Sequence, residues 1–232
     1  MRVGILIIGS LFWRENRQQW RTENLLEDLA FPVRAPIRYG RLSSSNTYTM
    51  TFSRAAPFGE ALVLPCRREV SDIDDLKHEA RLLWGAEVNA HATESVSSDW
   101  GCVALLSNGS EKAAVITNHW SEFVSAIPNY GRISHAAGEE KIVESGILQF
   151  SWESVFAQER SSSTKLDLIL ATANDPTIDQ SMQIYASPQT IADAWNTHRN
   201  AVEYFRNNRE SRIKTFQDSE IIEHLYKEWE KS

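Results

Sequence analysis

The residues best suited to chemistry are a Gly-Ser loop and a set of carboxylates downstream of it. Residues 3–8 (VGILII) run apolar into Gly9-Ser10-Leu11. A strand that ends this way leaves free main-chain N–H groups at the end of a sheet. Glycine lets a ligand approach the backbone, and Ser10 adds a small donor. Such a loop can hold a carboxylate or an amide. Further along, residues 71–87 carry two glutamates in a helical pattern whose apolar stripe is Ile73, Leu76, Ala80 and Leu83. On a wheel of about 100° per residue, Glu79 falls about 80° from the centre of that stripe. Glu87 falls almost on the centre, provided the helix continues through Gly85. Either carboxyl can reach a pocket, and a carboxyl with a raised pKa can both take and return a proton. Glu60 is a third candidate. It alternates with Leu62 and Leu64, so it reads either as inward-pointing or as a salt-bridge partner of Arg54 or Arg67.

Other chemistries find less support. Gly4 and Gly9-Ser10 are spaced like a phosphate loop but lack its Lys-Ser/Thr ending. There is no G-x-S-x-G elbow. His78-Glu79 opens like a zinc-protease motif, yet Leu82 stands where the second histidine belongs, and the six histidines are scattered, so no metal site is expected. Cys66 lies beside Arg67 and Arg68, cations that would lower a thiol pKa; the competing reading is a half-buried thiol without a role. Cys102 reads as core. Trp13, just after the loop, either walls a pocket or covers the end of the sheet.

Composition bounds the rest. The 232 residues are 42% apolar and 24% charged, with eight Trp and nine Phe, enough for a substantial core. A net charge of −7 disfavours a nucleic-acid binder. No run of 18 apolar residues exists, so no membrane span is expected. The apolar run 3–13 follows Arg2 as in a signal peptide. However, Arg14, Glu15, Arg17 and Arg21 come at once and no small-x-small cleavage site appears, so a buried strand is the reading and a cytoplasmic location with reduced cysteines the expectation.

These residues must be positioned by a framework of strands and helices. Strands are expected at 3–8, 33–39 (interrupted by Pro36), 46–52, 60–64, 102–106, 113–117, 147–150 and 166–172, with Asn108-Gly109 as a hairpin turn. A helix is expected over 14–30, broken by Phe31-Pro32. A second spans 71–87, capped by Ser71 and ended by Gly85. A third spans 189–205 with Ile191, Ala194, Trp195, His198 and Val202 on one side, and residues 221–229 continue in the same style. The layout is a β-rich α+β domain over 1–155, then a strand and helical C-terminal extension over 156–232 packing on it. A twin subunit is the second target for the extension's apolar stripe.

Residues 7–11 (IIGSL) resemble the opening Tyr-Gly-Ser-Leu loop of the γ-glutamylcyclotransferase-like family. A basic strand region at 36–41 follows in the same order. Residues 58–63 (FGEALV) are similar to that family's Trp-Gly-hydrophobic strand, and Leu76-Lys77-His78-Glu79 to the Leu-Asp-x-x-Glu segment that carries its catalytic carboxylate. The likeness covers residues 3–90. Ile8 stands in place of the family's Tyr, the Leu-to-Glu spacing is one residue shorter, and no Gly follows Glu79.

The resemblance implies a mixed β-barrel with helices, Ile8, Gly9, Ser10 and Leu11 as the substrate-binding loop, and Glu79, with Glu87 as the competitor from the wheel, as general acid/base. It implies conversion of a γ-glutamyl amine or γ-glutamyl amino acid to 5-oxoproline with release of the amine, without metal or organic cofactor. The alternative is a non-catalytic module that uses the same fold to bind a small ligand or a protein.

Overall fold

The computed structural model describes residues 1–43, 45–90, 93–157, 165–179 and 181–225. The first strand, β1 (Val3–Ile7), is apolar and wholly buried, as its composition requires. A 3-10 turn (Glu15–Arg17) and α1 (Gln18–Asn24) follow, then a second 3-10 turn (Glu27–Leu29). The single helix expected over 14–30 is thus in pieces, because Leu25 leaves it to form a bridge with Cys66.

Next come β2 (Phe31–Leu42), β3 (Tyr48–Phe52) and β4 (Phe58–Pro65). β2 runs straight through Pro32 and Pro36, which were expected to break the helix and the strand. Over residues 31–36 it pairs with β4 only, and from Ile37 onward with β3. A proline has no N–H to offer, and a half-strand with one ladder partner has a side where none is needed.

The helix α2 (Ile73–Val88) is capped by Asp72, whose side chain accepts from the amides of Asp74 and Asp75, and not by Ser71. It continues through Gly85 and is closed by Asn89 in the left-handed conformation (φ 58°). Then follow β5 (Ser97–Ser98), β6 (Gly101–Ser107) and α3 (Glu111–Ser125). The strand expected at 113–117 and the Asn108-Gly109 hairpin are both absent; a helix stands there instead. Ser110 caps it through the Ala113 amide, and Ala113, Ile116, Trp120 and Val124 form its buried stripe at helical spacing. The remaining elements are β7 (Val143–Glu144), β8 (Ile147–Leu148), α4 (Trp152–Phe156), β9 (Leu168–Asn174), β10 (Ile178–Asp179), β11 (Ile184–Tyr185), α5 (Pro188–Asn196), α6 (Arg199–Glu210) and α7 (Asp218–His224).

Nine strands form one mixed sheet in the order β3-β2-β4-β1-β9-β6-β8-β7, with β5 also on β6. β1 and β9 are parallel, as are β6 and β8. The expected barrel is not found: among the described residues the sheet is open, and the chain is an α+β protein with C-terminal helices. Closing a barrel needs a ladder between strands on either side of the gap. Here β3 meets β9 through side chains instead. Thr51 Oγ1 donates to the Asn174 carbonyl at 2.9 Å, and Asn174 Nδ2 to the Met50 carbonyl at 3.3 Å. The sheet is therefore curled, and its concave end is left hollow.

The helix expected over 189–205 is two helices, broken at Thr197-His198. Trp195 is fully buried, edge-on to Tyr39 at 4.9 Å and against Phe205 at 5.1 Å. His198 lies outside, because the break turns it off the stripe. The C-terminal segment is also stitched to the sheet. Glu60 and Lys214 exchange main-chain hydrogen bonds of 2.8 and 3.0 Å, at a place where a side chain on Gly59 would strike the Lys214 carbonyl. β9 lies at the centre of the sheet, so the sheet is built from both sides of residue 155. The Ser-rich stretch 158–164 and residues 226–229 of the last expected helix lie outside the described residues. Among those residues no helix is long and apolar enough to cross a membrane.

Candidate functional site

Because β1 and β9 are parallel, their C-terminal ends open side by side at the hollow end of the sheet. A cavity of about 690 Å³ lies there, bounded by residues 6–11, the end of α2, the end of β9, and α6. Ligands of α/β sheets gather at the same place, beyond the carboxyl ends of strands.

Ile8, Gly9, Ser10 and Leu11 all line this cavity. The chain turns sharply after them: Phe12 N–H donates to the Gly9 carbonyl at 3.3 Å and Arg14 N–H to the Ser10 carbonyl at 3.0 Å. Among the described residues, the amides of Gly9, Ser10 and Leu11 themselves donate to no main-chain carbonyl outside the regular elements. Arg21, buried beneath the loop, fixes it from behind: its Nη1 donates to the carbonyls of Leu11 (2.8 Å) and Arg14 (3.1 Å). Trp13 also faces the cavity rather than merely covering the sheet, with its Nε1 held by Asn208 Oδ1 at 2.7 Å.

The two helix glutamates part company. Glu87 lines the cavity together with residues 8–11. Burial pushes its pKa above the ordinary carboxylate range; the Thr172 hydroxyl and the charges of Arg17, Arg41 and Arg14 pull the other way. Glu79 does not line the cavity. It is buried beside Cys66, and burial raises its pKa too, against a hydrogen bond from the Cys66 thiol and the charge of Arg68. Glu60 points outward and pairs with Lys214 at 3.4 Å, not with Arg54 or Arg67. Burial and Glu79 push the Cys66 thiol up, opposite to the shift that neighbouring cations would give, so no ready thiolate stands there. Cys102 is core, its thiol pushed up to about 12 by burial. His78 is exposed, and among the described residues no group of His, Cys, Asp and Glu could hold a metal ion.

Several lining residues escaped sequence reasoning. Arg14 and Arg17 follow the Gly-Ser loop directly, which was the available signal; Arg41, Thr172, Asn174 and Tyr204 come from distant segments. Thr172 Oγ1 and Asn174 Oδ1 are buried at the cavity wall; the Thr172 hydroxyl acts on the Glu87 carboxyl, and among the described residues Asn174 Oδ1 has no hydrogen-bond partner. Tyr204, from α6, accepts from the Met50 amide at 3.2 Å and sits edge-on to Trp13 at 5.8 Å. A side chain on Gly9 would come within 2.9 Å of the Tyr204 hydroxyl, so glycine is what allows loop and helix to meet.

The arrangement brings a partly buried carboxyl, the Gly9–Leu11 loop, several cations and the Thr172 hydroxyl to one cavity. It can bind a polar acyl compound, move protons and stabilise an oxyanion. Comparisons with family models, curated proteins and solved structures find no match for this chain.

Proposed function

We propose that the cavity carries out γ-glutamyl cyclotransfer, with Glu87 as general acid/base. One observation carries the reading: Glu87, its pKa raised by burial, lines the same cavity as the unspent amides of residues 9–11. The loop resemblance supplies the reaction. The substrate's α-amine attacks its own γ-carbonyl carbon, forming the ring C–N bond while Glu87 takes the amine proton. The amides of residues 9–11 receive the oxyanion. The tetrahedral intermediate then collapses: the bond to the departing nitrogen breaks, and Glu87 returns the proton to it. The products are 5-oxoproline and a free amine, and the carboxyl ends as it began. A raised pKa suits a group that must act as base and then as acid near neutrality. Glu79, away from the cavity, has no place in this scheme.

The test uses γ-glutamylalanine and γ-glutamylethylamine, with 5-oxoproline as the readout. Glu87→Gln keeps the shape and removes the proton, so turnover is expected to fall by about 10²- to 10⁴-fold. Glu79→Gln should leave it within a few-fold. Binding of both compounds without any 5-oxoproline from the parent protein would replace this reading with that of a non-catalytic binding module.

A further inference from the structure

Arg41 stands out among the cations of the cavity. It follows a bulge in β2: Tyr39 pairs with Met50 and Arg41 with Thr49, so one residue, Gly40, is extra. Paired residues share a face of the sheet, so the bulge turns Arg41 to the face opposite Tyr39. There its guanidinium lies 4.7 Å from the centre of the Trp100 ring. Trp100 is in turn stacked on the buried Trp84, with ring centres 4.9 Å apart and planes 25° from parallel. β2 and β6 lie on opposite flanks of β1 and β9, so this contact reaches across the hollow of the curled sheet. The guanidinium is thus held on a rigid aromatic platform at the cavity wall.

Among the described residues, neither Arg41 nor Arg14 has a carboxylate oxygen within ion-pairing distance. This is notable in a chain of net charge −7, where carboxylates are plentiful. A planar cation seated over an indole can offer its N–H edge to a two-pronged acceptor. Nearby, the Thr172 hydroxyl is more than nine-tenths buried and faces the Glu87 carboxyl. The cavity volume is in the range that takes a drug-sized molecule, larger than a γ-glutamyl group alone.

We infer that Arg41, seated on Trp100, is a specificity residue for a second oxyanion, carried by the part of the substrate that leaves as the amine. This rests on the cyclotransfer reading for the identity of the first part, but not for the anion site itself. The compound consumed then bears an acidic group on its amine portion and is distinguished from the derivative of a plain amine.

Binding is measured by calorimetry in the Glu87→Gln background, where turnover is removed. The probes are γ-glutamylethylamine, γ-glutamylalanine and the phosphonate analogue of the latter, which differ only in the presence and kind of acidic group. At least one acidic compound should bind ~10- to 100-fold more tightly than γ-glutamylethylamine, the effect of a charge-assisted contact. The tighter of the two names the oxyanion. Adding Arg41→Gln should erase that preference and leave γ-glutamylethylamine unaffected, while Arg41→Lys restores part of it. Unchanged melting temperatures establish that the variants are folded.

Equal binding of all three probes, or an equal loss for all of them in Arg41→Gln, overturns the inference. Glutarate separates the two proposals, since it has two carboxylates and no scissile bond. If glutarate binds through Arg41 while no γ-glutamyl compound binds, cyclotransfer falls and the anion site stands. If neither glutarate nor any γ-glutamyl compound binds, both fall.

Discussion

The guanidinium of Arg17 donates to the main-chain carbonyl of Glu87 at 3.3 Å, and its other terminal nitrogen reaches Asn89 Oδ1. One buried cation therefore closes the C-terminal end of α2 and also sits beside the carboxyl presented by that end. A helix C-terminus carries partial negative charge, so both duties favour a cation.

Replacing this residue should separate the two effects. Arg17→Met keeps length and apolar contact but takes the guanidinium donor from the Glu87 carbonyl and leaves Asn89 Oδ1 only the 3.4 Å bond from Asn16 Nδ2. A loss of about 1–3 kcal/mol in urea denaturation is expected. Because the Arg17 charge holds the Glu87 pKa down against burial, that pKa should also rise. In the proposed cyclotransfer, the ascending limb of the pH–turnover profile, where the base form appears, should then move to higher pH. A limb that stays in place would confine Arg17 to a role in the helix.

Glu79 supplies a pH prediction of definite sign. Its folded pKa lies above the unfolded value, about 4.3 for an ordinary glutamate. Between the two values the folded state holds more protons than the unfolded one. Stability is therefore greatest below about pH 4 on this account, and falls as pH rises toward the folded pKa. Glu79→Gln removes that contribution. The variant should equal or exceed the parent in stability at neutral pH, and its advantage should shrink as pH falls toward about 4. Glu87 and Asp218, also raised by burial, act with the same sign and remain in both proteins. Urea curves across this range decide the matter; a variant weaker at neutral pH would mean an ionised, well-paired Glu79.

A double-mutant cycle tests the junction of the loop with α6. Gly9→Ala drives a methyl to within 2.9 Å of the Tyr204 hydroxyl, and a cost of about 1–3 kcal/mol is expected. Tyr204→Phe removes that oxygen but strands the Met50 amide, at a similar cost. The double variant should lose less than the sum, with a coupling of at least about 0.5 kcal/mol. Strict additivity would show that the loop and the helix do not bear on each other there.

Much of the framework was legible because burial leaves a period in the residues. β1 and β9 are apolar runs with turn residues after them, and α2 combines acidic first-turn residues with a stripe at helical spacing. α3 was misread because Asn108-Gly109 mimics a hairpin signal and residues 113–117 suit a strand taken alone; the Ser110 cap and the wider stripe through Trp120 and Val124 decide otherwise. Whether a sheet closes depends on which strands meet, and Thr51 and Asn174 carry no local mark of touching. The candidate site was legible only where it is local. Gly9 to Leu11 and Glu87 could be picked out from a loop and a wheel. Arg41 needed the bulge at Gly40, and Thr172 and Asn174 needed the parallel pairing of β1 with β9, a long-range event.

That pairing also shapes how the protein comes into being. Val3 lies against Leu168, and the neighbouring Arg2–Asp167 hydrogen bond spans 165 residues. At ribosomal speeds of about 5–20 residues per second, roughly ten to thirty seconds separate the synthesis of the two strands. Contacts of such separation are slow to form even in a complete chain, because loop closure precedes any gain from pairing. Until β9 inserts, β1 and β6 each present a bare edge, and bare edges recruit other chains. The hollow beside Gly9 has no wall from Thr172 or Asn174 until then. The nascent protein thus passes through an interval in which it is exposed to aggregation and its cavity is still incomplete, and a chaperone that shields strand edges would have its greatest effect there.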